Sequence, residues 1–453
     1  MIDILALLPC LCPHLNATTV RQLSRIILAM LAMTGRVTML GLSRWAGKGG
    51  SYRTVQRFFY TGIPWGIVFW AFFRHHVFDP QDHYLLAGDE CVVTKSGKKT
   101  YGLDRFFSSL YGKPVPGLSF FALSLISRQQ RRSYPTMVEH MVRSEAEHAA
   151  THAQKTSHQT PTGKNNAKKR KPGRPQGSKN KDKTAVILNP ELQRIHAMIE
   201  KQLKLIGTMI PLRHMVLDGH FGNHPALQMV NACGLSLISK LRHDAALYFP
   251  YDGPYAGRGP RRKYGKKIDD RNIPVKYLKH TTVEDHIETR ISQAQMLHKE
   301  FAQRLNVVII VKTHLKTKKC AHVVLFSSDL DLGYEHLIDF YSLRFQIEFN
   351  FRDAKQYWGL EDFMHVQQTA VSNAANVSLF MVNVAHVLLR PFRRGHPQFG
   401  VLDLKAYFRG HKYVAEILQL LPENPEPIIM EQIVDQIAGI GSIHSSGPVL
   451  NSS

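Results

Sequence analysis

The chain has 453 residues, enough for two or three domains with a sizeable buried core. Its 58 Lys and Arg against 35 Asp and Glu leave a formal charge of +23. That excess points to a polyanionic partner, nucleic acid before an anionic membrane surface. No apolar run reaches the roughly 20 residues of a membrane span, and no basic signal-peptide start is present. The reading is a cytoplasmic protein with no membrane partner. Cys10, Cys12, Cys91, Cys233 and Cys320 are odd in number and scattered, which excludes a disulfide framework. Cys10, Cys12 and His14 lack the second pair that a zinc site needs.

Along the chain, residues 19–33 repeat apolar side chains at helical spacing. Between Arg36 and Phe59 a short apolar helix, a turn with Gly47, Gly49 and Gly50, and a helix capped by Ser51 are expected. Tyr52, Arg53 and Arg57 would face a DNA groove if this is a helix-turn-helix, and solvent if it is a plain helical hairpin. "HYLLAGDECVV" from His83 reads as a buried strand ending near Asp89, and further strand-like runs follow at 117–127 and 213–221. Lys95 and Asp104 read as surface residues.

Residues 151–184 have almost no aliphatic side chains, and Lys164–Lys183 holds nine basic residues and one acid. Such a segment cannot bury a core and is expected to be a disordered basic loop. Within it, Arg174 between Gly173 and Pro175 resembles the core of an AT-hook, whose arginine enters a narrow minor groove. A generic phosphate-binding tether is the alternative. A helix and a strand are expected after Asp218, then strand-like pieces across 252–330, then the helix that contains Tyr341. An apolar helix and a Ser/Gly-rich tail close the chain.

Two acids follow apolar runs, Asp89 after "YLLAG" and Asp218 after "RHMVL". A charge beside a buried strand usually marks a functional edge, although a simple strand cap fits as well. Advancing about 100° per residue from Tyr341, the residues Arg344, Glu348, Arg352 and Lys355 fall within a stripe roughly 80° wide. Asp339 and Asp353 project about 120–160° away from it. Glu348 is the lone carboxylate among those cations, either a partner of Arg344 or Arg352 or a ligand. Three such carboxylates can converge on two Mg²⁺ ions, with Mn²⁺ as the substitute, to polarise a phosphodiester. The flanking cations would hold the DNA backbone.

Tyr-x2-Arg-x3-Glu-x6-Lys resembles the signature of bacterial insertion-sequence DDE transposases of the Y-R-E-K class. The resemblance implies an α/β fold, an RNase H-like catalytic core with an N-terminal helical DNA-binding domain and a β-rich insertion domain. The expected division is 1–80 helical domain, 81–240 first part of the core, 241–330 insertion, 331–395 last core helices, and 396–453 C-terminal helices and tail. Asp89, Asp218 and Glu348 are then the catalytic metal ligands, and Tyr341, Arg344 and Lys355 lie on transposon-end phosphates. Arg352 joins them on angular grounds alone. Glu90 is expected on the opposite face from Asp89. Residues 240–330 contain no Trp, so Tyr248, Tyr251, Tyr255 or Tyr264 would take the base-stacking role that a tryptophan has in members of the class, or base flipping is absent. The partners implied are double-stranded DNA, both transposon ends and target, and a second copy of the chain on that DNA, in a nucleoid-associated bacterial setting. A catalytically silent DNA-binding protein and an RNase H-like nuclease without strand transfer are the alternatives.

Overall fold

The computed structural model describes residues 4–108, 112–147, 149, 188–255, 257, 259–269, 272–420 and 426–444. The basic loop expected at 151–184, with Arg174, lies outside the described residues, as does the end of the tail. The chain divides into two compact units: Met1–His140, Met198–Leu212 and Leu343–Ser453 in the first, Met141–Ala197 and Arg213–Ser342 in the second.

The first unit begins with helices α1 (Ile4–Leu7), α2 (Ala17–Ala32), α3 (Met39–Trp45), α4 (Tyr52–Tyr60) and α5 (Trp65–His76). Side chains start three of them: Asn16, Thr38 and Ser51 each accept a hydrogen bond from a first-turn amide. The turn between α3 and α4 needs its glycines, because Gly47 and Gly49 sit at φ +66° and +80°. Val55, Phe58 and Phe59 of α4 are buried while Tyr52, Arg53, Arg57 and Tyr60 are exposed. The expected two-helix element is therefore present, with both arginines on its open face.

Four strands follow: β1 (Tyr84–Thr94), β2 (Asp104–Ser108), β3 (Lys113–Ser127) and β4 (Arg132–His140). β1 runs antiparallel to β3, which takes β2 along its first residues and β4 along its last. β1 does not end near Asp89, as expected, but continues five residues to Thr94. Asp89 is a mid-strand residue paired with Ala122. Cys91 and Val93 extend the buried face beyond the acid, so the apolar alternation that holds the strand in place survives it.

After α6 (Pro190–Ile206), inside which the division between the units falls, the second unit is built on β5 (His214–Val216), α7 (His224–Ala232) and β6 (Ser236–Lys240). It continues with β7 (Leu247–Pro250), β8 (Tyr264–Lys267), β9 (Leu278–Glu284), β10 (Ile287–His298), β11 (Leu305–His314) and β12 (Cys320–Ser327), and then α8 (Tyr334–Leu343). β5 and β6 are parallel, and β6, β12, β11 and β10 continue antiparallel, with β9 and β7–β8 both on β10. A mixed sheet results, its centre made of runs such as Val307, Val308 and Ile309 that are fully buried.

The first unit closes with α9 (Gln346–Tyr357), α10 (Gln368–Gly395), α11 (Val401–Leu418) and α12 (Pro427–Ala438). α10 is long and apolar enough to cross a membrane, contrary to the expectation that no run is. Its most apolar window is 83% buried inside the protein, where it serves as the core helix. Leu379, Phe380 and Met381 pack in one cluster with Leu23, Phe58, Phe69, Phe120 and Trp358. Buried amides fix its register: Asn373 accepts from Trp65 Nε1 at 2.7 Å and donates to the Phe59 and Thr61 carbonyls, each at 2.8 Å.

Candidate active site

Asp89 lies at the middle of β1, where the unbroken burial of Tyr84–Gly88 gives way to alternation, and it is half-buried on the face it shares with Cys91 and Val93. Glu90 points to the other face, where it accepts a hydrogen bond from Ser119. Opposite Asp89 stands Arg344. Its guanidinium is 14% exposed and donates from Nη1 to Asp89 Oδ2 at 3.0 Å and from Nη2 to Glu348 Oε1 at 2.7 Å. Two carboxylates from positions distant in sequence are thus gathered on one rigid fork.

The helix expected to carry Tyr341 through Lys355 is not continuous. α8 stops at Leu343 and α9 starts at Gln346. Between them Ile347 N bonds to Arg344 O at 3.0 Å and Glu348 N to Phe345 O at 3.1 Å, a tight turn of three-residue spacing. The assumed uninterrupted rotation from Tyr341 therefore fails. Tyr341 belongs to the second unit, and Arg344, Glu348, Arg352 and Lys355 belong to the first.

Arg352 and Lys355 also differ from the expected stripe. Arg352 donates to Asp353 Oδ1 at 3.1 Å, and its guanidinium carbon lies 4.6 Å from the centre of the Phe349 ring. Asp353 is pushed up by burial, with Arg352, Arg132 and Arg393 opposing the shift. Lys355 donates to the Val92 carbonyl at 2.9 Å and pairs with Glu361 at 3.0 Å. Burial pulls its pKa down, but Cys91 and Glu361 outweigh that and raise it. Burial pushes the neighbouring Cys91 thiol up to about 12. Lys355 is tied to the strand that carries Asp89, a contact invisible in the spacing because Val92 offers only its backbone. Lys95, read as surface, is half-buried instead: its ammonium donates to the Glu361 and Phe363 carbonyls at 3.1 and 2.9 Å, and burial lowers its pKa to about 8.

Asp218 lies in the second unit, two residues past β5. It caps the short helix Gly219–Phe221, accepting from His220 N at 3.1 Å, and its carbonyl accepts from Ser239 Oγ at 2.6 Å. Gly222 makes this turn feasible, since a Cβ there would stand 2.1 Å from the Lys240 carbonyl oxygen. Of the tyrosines named for stacking, Tyr248 and Tyr264 pack edge to face at 5.4 Å, and Tyr255 is exposed.

A family model described as DDE superfamily endonuclease matches residues 10–300. The chain belongs to the DDE superfamily endonucleases. No curated protein matches it. The matched residues include Asp89 and Asp218 and stop short of Glu348. Enzymes of this superfamily are nucleases that use divalent metals on DNA. Among the described residues, no group of three or more His, Cys, Asp or Glu side chains is arranged to hold a metal ion. The donor chemistry of the first unit nevertheless fits one: two hard carboxylates of this endonuclease converge on a single positive charge, the Arg344 guanidinium.

Proposed function

We propose that this endonuclease is a transposase of the bacterial insertion-sequence Y-R-E-K class. It cuts DNA strands at element ends and transfers the 3′-hydroxyl ends to target DNA, acting as a dimer on that DNA. The observation that carries the reading is Arg344 joining Asp89 to Glu348, because it draws the acid of the Y-R-E-K motif to an acid inside the family match. The mixed α/β architecture is compatible with an RNase H-like core over 81–240 and 331–395. In this reading 1–80 binds DNA through Arg53 and Arg57, and 241–330 is a β-rich insertion. The basic loop with Arg174 would add minor-groove or phosphate contacts.

Asp89, Asp218 and Glu348 would hold two Mg²⁺ ions. When bound, these supply Lewis-acid polarisation of the scissile phosphate and a more acidic attacking water or hydroxyl. Arg344 orients both first-unit carboxylates through its planar fork, one terminal nitrogen on each. Lys355 holds β1, and with it Asp89, at a fixed distance from α9. Tyr341 and Arg352 are assigned to DNA-backbone contact.

The test is cleavage of a supercoiled donor plasmid carrying the element's flanking repeats, with and without Mg²⁺. Mg²⁺-dependent cutting at the repeats, followed by joining to a target plasmid, supports the reading. The family description as an endonuclease favours one other reading, a nuclease without strand transfer, and cutting without joined products would establish it.

A further inference from the structure

We propose that a cationic cavity on the antiparallel sheet of the second unit binds a backbone phosphate of DNA. The cavity has a volume of about 430 Å³ and is lined by Arg290, Lys318 and Lys319. β10 and β11 build its floor. Arg290 pairs with Val311 in the ladder, and strand alternation puts Ser292 on the same face as Arg290 and Thr313 on the same face as Val311. The turn into β12 brings the two lysines to the rim. Lys318 N bonds to the His314 carbonyl at 2.8 Å and His314 N to the Lys319 carbonyl at 2.9 Å. Lys318 is held there at φ +56°, a left-handed conformation disfavoured for any residue with a Cβ.

Three like charges facing one space repel one another, and among the described residues none of the three is in an ion pair. Glu288, two residues before Arg290 on the same face of β10 and opposite Thr313 in the ladder, is the nearest acid along that strand, so three cations stand against one carboxylate on this face. An anion in the cavity relieves the repulsion, and the Ser292 hydroxyl is a donor suited to a phosphate oxygen, while the Thr313 hydroxyl donates to Cys320 Sγ at 3.8 Å. Ile273 and Val311, 7% and 8% exposed, give the cavity an apolar wall of the kind a deoxyribose packs against. A net charge of +23 and membership of a DNA-acting family favour a nucleic-acid strand over other anions. The assignment rests on the DNA-acting reading above but uses none of Asp89, Asp218 or Glu348.

The experiment compares the full chain with Arg290→Ala, Lys318→Gly, Lys319→Ala and the triple variant, measuring anisotropy of a labelled duplex across a salt series. Lys318→Gly removes the charge while relieving the left-handed backbone, so its folding is not at risk. Losing one phosphate contact should make the plot of log affinity against log salt shallower by about 0.9 in the triple variant. Lys318→Gly alone should weaken binding in the same direction. A triple variant with unchanged melting temperature and unchanged slope overturns the proposal. ATP titrated calorimetrically into wild type and triple variant separates the other phosphate source: ATP binding lost in the variant with an unchanged DNA slope assigns the cavity to a free nucleotide and also overturns it. The measurement needs no catalysis, so failure of Asp89→Asn or Glu348→Gln to stop cleavage would refute the active-site reading alone.

Discussion

Arg344 and Asp89, 255 positions apart in the chain, are joined at 3.0 Å, and the same guanidinium holds Glu348 at 2.7 Å. Removing it leaves two neighbouring carboxylates without their shared cation. Arg344→Ala should lower stability by about 1–3 kcal/mol, the usual cost of losing hydrogen bonds to charged groups, with Asp89 contributing most because it is the better buried, although its Oδ1 still accepts from Glu90 N at 2.9 Å. It should also cut cleavage at least tenfold, and Arg344→Lys should rescue poorly because a point charge cannot bridge two carboxylates as a fork does. Mg²⁺ should raise the melting temperature of Arg344→Ala more than that of wild type, since the guanidinium no longer competes for the same oxygens. Thermal melts with and without Mg²⁺ check this.

Asp89→Asn, Asp218→Asn and Glu348→Gln should each abolish cleavage while leaving binding to duplex DNA close to wild type. Loss of a ligand charge weakens the hold on a hard cation, and removing negative charge beside a phosphate does not repel it. Cleavage and gel shift are measured side by side. Cutting at the wild-type rate by any one of them removes that residue from the site.

Lys355→Met should behave as a structural variant. It strands the Val92 carbonyl and Glu361, so a melting-temperature decrease equivalent to about 1–2 kcal/mol is expected. The salt dependence of DNA binding should change little. A slope shallower by about 0.9 would instead place the ammonium on a phosphate.

Gly222→Ala should disturb the turn that carries Asp218. Its Cβ meets a backbone oxygen at 2.1 Å, which cannot move aside as a side chain would, so destabilisation of about 1–3 kcal/mol and a parallel loss of cleavage are expected. Gly219→Ala is the control, because its nearest contact there is an ordinary 3.6 Å. Equal effects of the two substitutions would show that the close approach to Lys240 is unimportant.

Stability should fall as the pH drops from about 6.5 toward 4. Burial lowers both His140 and His365 to about 4, with Lys95 adding to the shift at His365. Both are neutral when folded but take up a proton when unfolded, so their contribution is complete above the unfolded pKa of about 6.5 and is lost on acidification. His365 is 5% exposed, with Phe59 at 4.5 Å and Phe363 at 5.9 Å. His365→Phe should flatten the pH dependence of the melting temperature in that window, and an unchanged profile would refute the assignment.

Much of this protein was legible in one dimension. Ser51 announced a helix start because a hydroxyl before a helical run satisfies a first-turn amide wherever it occurs. The apolar run before Asp218 and the spacing from Arg344 to Glu348 are local facts of the same kind, set by strand and helix periods. What the tertiary structure decided concerns groups that have no sequence signal. The extent of β1 past Asp89 depended on Cys91 and Val93 finding cover in the core of the first unit. The break at Arg344 and Phe345 defeated a helical projection that assumed constant rotation. Lys355 and Lys95 found backbone carbonyls, which every residue possesses and no composition reveals. Arg290 and Lys318 face one cavity only because β10 pairs with β11 in a particular register and the turn into β12 holds a left-handed residue. Periodicity is written in neighbours along the chain; register, cover and carbonyl partners are fixed by segments far from it.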